Sequence, residues 1–530
     1  MSEENYTVPE EKSPPSIEKI EQKIRDEFER ILAFCRGDNG LKSFFSFEKS
    51  LQHQIGPFIC LLLQLFLTAL HKRFDYSKWL ESGRYYKGNP VARTIKTIYG
   101  EVRYWRTCFI SKYGGCFYPL DAVIGLTRDG FSPLVMNLAT KLATRVSFAA
   151  STLLFRCFYG WSPSSESIES LVLGMARDSA EYMEQALDYS DDGEILVIEV
   201  DGKATPTARE EELAKRRGKR KKREGCNCPR HRNKHKRQCR CKRSRRKKGD
   251  KSKNGRSITL VVMYTLKKGE DGRLHGPINK KVWASYAPRK VMLAWARREA
   301  TRRGFPPETN KRIHIAMDGE KCLYDGLHKL FPKASFVLDI RHLQEKIWDV
   351  GRLYHKEGSQ ELEQWVEEKQ EFLYTGRVAE LLMELKNLRK TLSERAKRDE
   401  TKRNALDKLI EYMEPRLSMM DYQKLIEEDL VIATGIVEGA ARYVVGERLD
   451  CSGMRWIPER AEALLRLRCI EVNGDWDHFF QWSYDHWIEK MREGEKVIIR
   501  KETPDDLPDI PPTYPSDIDS DFDDVTQYAS

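Results

Sequence analysis

Two short apolar runs in this chain each end in an acid followed by glycine, and the repetition constrains the fold more than any other feature. Residues 194–203 read EILVIEVDGK, in which Ile195, Leu196, Val197, Ile198 and Val200 give a β-branched strand suited to a central sheet and Asp201-Gly202 closes it. Taken alone, this is equally a strand followed by an Asp-Gly turn. A second copy, RIHIAMDG at 312–319, again runs apolar residues into Asp318-Gly319 and leads directly into a helical pattern at 321–330. Two core strands that each carry a carboxylate to their ends suggest one site, the arrangement by which α/β enzymes place metal ligands.

The neighbouring elements give the order. Strands are expected at 257–266 and 280–287, joined by a turn at 269–276, then a helix at 289–303, the strand at 312–318, a helix at 320–331, a strand at 335–340 and a helix at 342–354. The order β-β-β-α-β-α-β-α is that of the ribonuclease H fold, a three-stranded antiparallel part extended by two parallel strands. Strands one and four are neighbours there, so Asp201 and Asp318 are expected side by side. The fold class expected is therefore a multidomain α+β or α/β chain with its core at 191–355, interrupted by an insertion at 204–256. A helical insertion follows at 356–430 and a last helical region at 431–495. In that region Glu438 lies among Ile436, Val437, Ala440 and Ala441, where an ionised carboxylate would be costly to bury without a partner. Metal coordination is one remedy, and an exposed Glu on an amphipathic helix is the plainer alternative.

The first 190 residues read differently. Residues 16–90 are helical, with a region at 47–74 broken near Gly56-Pro57. Its most apolar window, 57–70, contains Gln64 and is shorter than the roughly 20 residues a bilayer needs, so a buried helix is expected. Residues 91–122 alternate as a β-hairpin or small meander whose Arg93, Lys96, Arg103, Arg106 and Lys112 could touch DNA. Helical patterns at 147–158 and 164–176, separated by Gly160, make a helix-turn-helix arrangement within a candidate DNA-binding region at 91–190. The second helix carries Glu166 and Glu169, which suits plain helical packing as well. The acidic, proline-rich residues 1–15 and the Asp-rich tail at 503–530 are expected to be disordered, and the N-terminus is neither a secretory signal nor a transit peptide. Cys60, Cys108, Cys157 and Cys322 sit singly in apolar segments, as reduced thiols used as small hydrophobes do.

The net charge of +11 is concentrated. Residues 215–256 hold 23 Lys or Arg against two acids, a net of +21, while the remaining residues carry 69 bases and 79 acids. A run this basic suits nucleic-acid phosphates, each of which releases counterions when neutralised; a solvated basic linker is the alternative. The densest parts are Lys215, Arg216, Arg217, Lys219, Arg220, Lys221, Lys222 and Arg223, and then Arg243, Arg245, Arg246, Lys247 and Lys248.

Between these basic parts stand Cys226, Cys228, His231, His235, Cys239 and Cys241, six thiolate or imidazole ligands within sixteen residues. Such a set is what tetrahedral Zn²⁺ takes, although Cys-x-Cys is tighter than the usual Cys-x2-Cys knuckle. If the cluster holds zinc, the purified protein should contain about one equivalent per chain by elemental analysis. Cys226→Ser with Cys228→Ser should remove it and leave the core folded.

At these residues the chain resembles bacterial insertion-sequence transposases of the DDE, ribonuclease H-like kind. It is most similar to the Kra-type group and more distantly similar to the Mutator-like superfamily. Asp201 in VIEVDGK matches the first acid of that pattern, Asp318 in HIAMDGEKCLYDGLHKLFP the second, and Glu438 in GIVEGAARYV the third. Asp339 to His342 in VLDIRH matches a D-x-x-H element, and SGMRW and VNGDW follow Glu438 downstream. The resemblance covers about residues 93–486. It implies that Asp201, Asp318 and Glu438 hold two Mg²⁺ (or Mn²⁺) ions about 3.5–4 Å apart, since hard cations prefer oxygen ligands. His342 would lie near the scissile phosphate or order the fold, and Asp339 would be structural. The implied partners are DNA, both as terminal inverted repeats and as target, and further copies of the chain on that DNA; no membrane is implied. The implied location is the cytoplasm, at the nucleoid. Two other readings stay open: a catalytically idle DNA-binding protein derived from a transposase, and a ribonuclease H-like nuclease without strand transfer.

Overall fold

The computed structural model describes residues 13–37, 43–183, 191–208, 255–451 and 454–500. They form two compact units, one of residues 13–183 with 474–500 and the other of residues 191–473. This division differs from the segments read off the sequence. Residues 16–90 and most of 91–190 share one body, and the helix Trp476–Arg492, grouped above with Glu438, belongs to that same body. The Cys/His cluster, the basic residues 215–254, the ends at 1–12 and 501–530, and Ser452 of the SGMRW motif lie outside the described residues.

The first unit opens with helices Ile17–Arg36 and Phe44–Arg73, whose first turns are capped by Ser16 and Ser43. The second helix runs unbroken through Pro57, and only Leu67 and Thr68 are buried on it. The expectation of a break near Gly56-Pro57, and of a buried helix, is corrected: the helix lies against the sheet and the first helix by one side and leaves Phe44, Phe45 and Phe66 exposed. By length and composition it is the one helix among the described residues that is apolar enough to cross a membrane. The meander is present as β1 (Tyr85–Thr97), β2 (Gly100–Ser111) and β3 (Cys116–Phe117), paired in that order. Of its cations, Arg93 and Arg106 turn inward onto buried Asp121, which also accepts from the Tyr104 hydroxyl. Lys96 pairs with Glu101 at 3.4 Å. The first two are therefore structural and are not available to DNA.

Helices Phe148–Tyr159 and Ser165–Met183 do flank a short turn capped by Gly160, which takes a left-handed conformation (φ 76°). The second is not a recognition helix. Six consecutive residues, Leu171 to Ala176, are buried, and a Cβ on Gly174 would lie 1.7 Å from the Ile499 carbonyl oxygen. With Arg177 also donating to that carbonyl at 3.0 Å, the chain near 499 closes the face a DNA groove would need. Cys108 is buried as a small hydrophobe, but Cys157 and Cys322 are exposed, which corrects that expectation for both.

The second unit is built on a mixed sheet of five strands: β4 (Ile195–Pro206), β5 (Gly255–Lys268), β6 (Leu274–Ser285), β7 (Arg312–Met317) and β8 (Ser335–Leu338). Their spatial order is β6-β5-β4-β7-β8, antiparallel among the first three and parallel from β4 onward. Leu196, Val197, Ile198 and Val200 are fully buried, each contributing about 1.5–3 kcal/mol. Helices Arg289–Arg302 and Lys321–Leu330 connect the strands, and Pro458–Val472 packs on β6. The region expected as a helical insertion consists of helices Gln360–Tyr374, Val378–Lys390, Glu400–Met413 and Tyr422–Glu427, with short 3₁₀ turns between some of them.

Candidate active site

Strand register creates the site. In the parallel part, Val200 of β4 pairs with Met317 of β7, which pairs with Leu338 of β8. The next residue of each chain segment is an aspartate, so Asp201, Asp318 and Asp339 stand at one level across three neighbouring segments; Asp339 still donates its N–H to the Met317 carbonyl at 2.9 Å. This is the carboxyl edge of the parallel strands, where open α/β sheets bind ligands. Asp201 differs from expectation in one respect. It does not end its strand at a turn: β4 continues to Pro206, paired with β5 throughout, and Asp201 lies opposite Leu260.

The stretch 431–438 crosses these strands and is pinned to each in turn. His314 of β7 contacts the Val431 carbonyl through Nε2 at 2.7 Å. Asp339 Oδ2 accepts from the Thr434 N–H at 3.0 Å and from its hydroxyl. Glu199, two residues before Asp201 and hence on the same face of β4, accepts from the Val437 N–H at 2.8 Å and from the Tyr264 hydroxyl at 2.8 Å. These bonds set helix Gly435–Ala440, the carrier of Glu438, against β4 and β5. A π-helical turn, Ala441–Gly446, follows at once, and buried Arg468 donates to the carbonyls of Tyr443 and Val444 within it. Single π turns are frequent at functional sites because they re-aim side chains. Of the two alternatives the sequence leaves open for Glu438, exposure on an amphipathic helix is the one found. Val437 and Ala440 take the inner face, and the Glu438 side chain is 43% exposed.

Among the described residues, the group whose ligand atoms lie within 4.8 Å of one another is Asp339, His342 and Glu438; Asp201 and Asp318 are outside it. His342 Nδ1 is 3.4 Å from Asp339 Oδ2 and 3.9 Å from Glu438 Oε1, ion-pair spacings without an aligned hydrogen bond. The Asp339 carboxylate, with a smaller contribution from Glu438, holds the imidazole up at about 9 against the effect of burial. The ring therefore favours its charged form at neutral pH when no metal is bound. Burial works to raise Asp339, but His342, Thr434 and the Arg341 N–H outweigh it and hold the carboxyl at about 2. Asp339 also caps helix Ile340–Gly351. It is fully buried and its oxygens are engaged, as a structural residue's would be. A metal ion bound here would have to displace the proton from His342.

Asp201 has the opposite environment. Burial pushes its carboxyl up, Asp318 and Glu438 add to the push, and the Gly202 N–H and His342 oppose it. Asp201 therefore feels both of the other acids assigned from the sequence. The turn after β7 is fixed from the helical insertion: Tyr412 donates to the Asp318 carbonyl at 2.7 Å and Arg416 to the Gly319 carbonyl at 2.7 Å. Gly319 adopts φ 81°, and a Cβ there would lie 2.5 Å from Leu338 Cδ1, so glycine is required beside this acid.

Glu199 was not singled out in the sequence, although an acid inside an apolar strand two residues before Asp201 was the available signal. Burial pushes its carboxyl up to about 7, with the Val437 N–H and the Tyr264 hydroxyl pulling the other way. Between its unfolded value near 4.5 and about 7, the unfolded chain releases a proton that the folded chain keeps. Stability should therefore fall as pH rises through that window and level off above it, by at most about 3 kcal/mol. Glu199→Gln keeps both hydrogen bonds available and should flatten this part of a denaturant-midpoint versus pH curve.

No protein-family model and no curated protein matches the chain.

Proposed function

We propose that the chain is a DDE-type DNA transposase with a ribonuclease H-like core, which cleaves the ends of its element and joins the 3′-hydroxyls to target DNA. The observation that carries this reading is the placement of Asp201 and Asp318 at one level on neighbouring parallel segments, with Glu438 close enough to raise the Asp201 carboxyl. The strand order 3-2-1-4-5, counted within the sheet, supports the same core. An all-oxygen donor set suits Mg²⁺ or Mn²⁺, and a carboxyl such as Asp201, pushed up by burial and by two neighbouring acids, is in the electrostatic condition that a divalent cation relieves. Bound metal would neutralise the attacked phosphate and lower the pKa of the attacking water or 3′-hydroxyl.

The chain's own side chains do the rest. Asp201, Asp318 and Glu438 supply carboxylate oxygens. His342, positive at neutral pH beside Glu438, offers a charge and a donor to a DNA phosphate, and Asp339 fixes that ring. Glu199 and Thr434 hold the Glu438 helix in place. No side chain needs to act as a covalent nucleophile, and the basic residues of 215–256 would neutralise DNA backbone.

The test is incubation of the full chain with Mg²⁺ and DNA carrying the terminal inverted repeats that should flank its gene. Free 3′ ends at the repeat borders, followed by joining to a second DNA, are expected. Nicks without joining would favour a nuclease, and binding without either would favour an idle DNA-binding protein.

A further inference from the structure

The first unit contains a cavity of about 610 Å³ that the transposase reading leaves unused. Three backbone segments meet around it: the Phe44–Arg73 helix at Gly56-Pro57, the hairpin turn at Tyr99, and the end of helix Phe148–Tyr159 at Gly160. Two glycines permit the approach. A Cβ on Gly56 would lie 3.0 Å from the Tyr99 carbonyl oxygen, and Gly160 occupies the left-handed region with His53 as its nearest neighbour.

The lining combines three chemistries. Lys49, His53 and Arg156 face the cavity and no carboxylate does, and the Lys49 and Arg156 side chains have no ion-pair partner among the described residues. Tyr99 and Phe158 present flat rings that the core leaves 43% and 60% exposed. Pro57 has no N–H, so the His53 carbonyl lacks its usual helical donor. Cations without ion-pair partners, aromatic faces and a backbone carbonyl without its helical donor are together complementary to a phosphate joined to a flat, partly apolar group that carries N–H donors. The volume falls within the range of small-ligand sites, about 300–1,000 Å³.

We propose that this cavity binds one nucleotide, with its phosphate on Lys49 and Arg156 and its base against Tyr99 and Phe158. The nucleotide is either free or an unstacked residue of a DNA strand, and the site does not depend on the assignment of the carboxylates. Two probes distinguish the sources: 2-aminopurine deoxyriboside 5′-monophosphate, and a short single strand with one internal 2-aminopurine. The fluorescence of this base reports its own stacking, and the cavity variants, which leave residues 215–256 intact, separate the cavity from phosphate neutralisation by that segment. Saturable response to the monophosphate is expected if the ligand is free, and to the strand alone if it is part of DNA. In either case Lys49→Ala with Arg156→Ala should weaken binding at least about tenfold, since two charge-assisted contacts are lost. Phe158→Ala, at an exposed ring, should weaken it about fivefold or more through lost stacking. No response to either probe, or a response that both variants leave unchanged, would overturn the proposal.

Discussion

Asp201→Asn, Asp318→Asn and Glu438→Gln should each lower cleavage of element ends by about 10³-fold or more, with end binding changed by no more than about twofold. An amide keeps the shape of the carboxylate but loses the charge that holds a divalent cation. The transition-state stabilisation at stake is several kcal/mol, and each 1.36 kcal/mol is about tenfold in rate. Gel-shift titration and a single-turnover nicking assay on the same preparations separate the two effects. Asp339→Asn should behave differently, because Asp339 accepts from Thr434, caps a helix and faces His342. Its loss should appear first as reduced thermal stability of the folded chain. Cleavage that survives Glu438→Gln would move the third ligand to another acid. Glu447 and Glu459 downstream are the candidates, and Glu447, which follows the π turn, lies 3.7 Å from Arg468.

Deleting residues 215–254 should flatten the salt dependence of DNA binding for all sequences alike. With 23 basic residues against two acids in 215–256, the segment can neutralise many phosphates, and log K falls by about 0.9 per phosphate neutralised for each decade of salt. Removing even five such contacts would change the slope by roughly 4 to 5. Preference for the element ends over unrelated DNA should persist, because phosphate contacts carry no sequence information directly. A salt slope unchanged by the deletion would assign the electrostatic contact elsewhere on the chain.

The central sheet was legible because its strands are short β-branched runs that must be buried, and their order fixes which ends are neighbours. What sequence alone misplaced was set by distant contacts. The Asp201-Gly202 dipeptide is a local turn signal, but pairing with β5 as far as Pro206 keeps the chain extended. The helix-turn-helix pattern is locally correct, but its second helix is enclosed by the helices Pro133–Arg145 and Trp476–Arg492 and by the residues near Ile499, the last two about 300 positions later. The sequence leaves Glu438 open between burial beside a metal and exposure on an amphipathic helix, and the helix turns Val437 and Ala440 inward and leaves the acid outside. The apolar helix Phe44–Arg73 shows the converse, since composition indicates what burial would favour and not how much covering surface the rest of the unit provides. Asp339, His342 and Glu438 each stand out in the sequence, but their close grouping depends on the crossing stretch 431–438, whose path no local pattern specifies.

The most direct measurement is anomalous diffraction from crystals soaked in Mn²⁺. Two peaks about 3.5–4 Å apart are expected, both within ligand distance of Asp201 and Asp318 oxygens and one of them reached by Glu438. A single peak held by Asp339, His342 and Glu438, with Asp201 unligated, would contradict the assignment of Asp201, Asp318 and Glu438 as the metal-binding carboxylates.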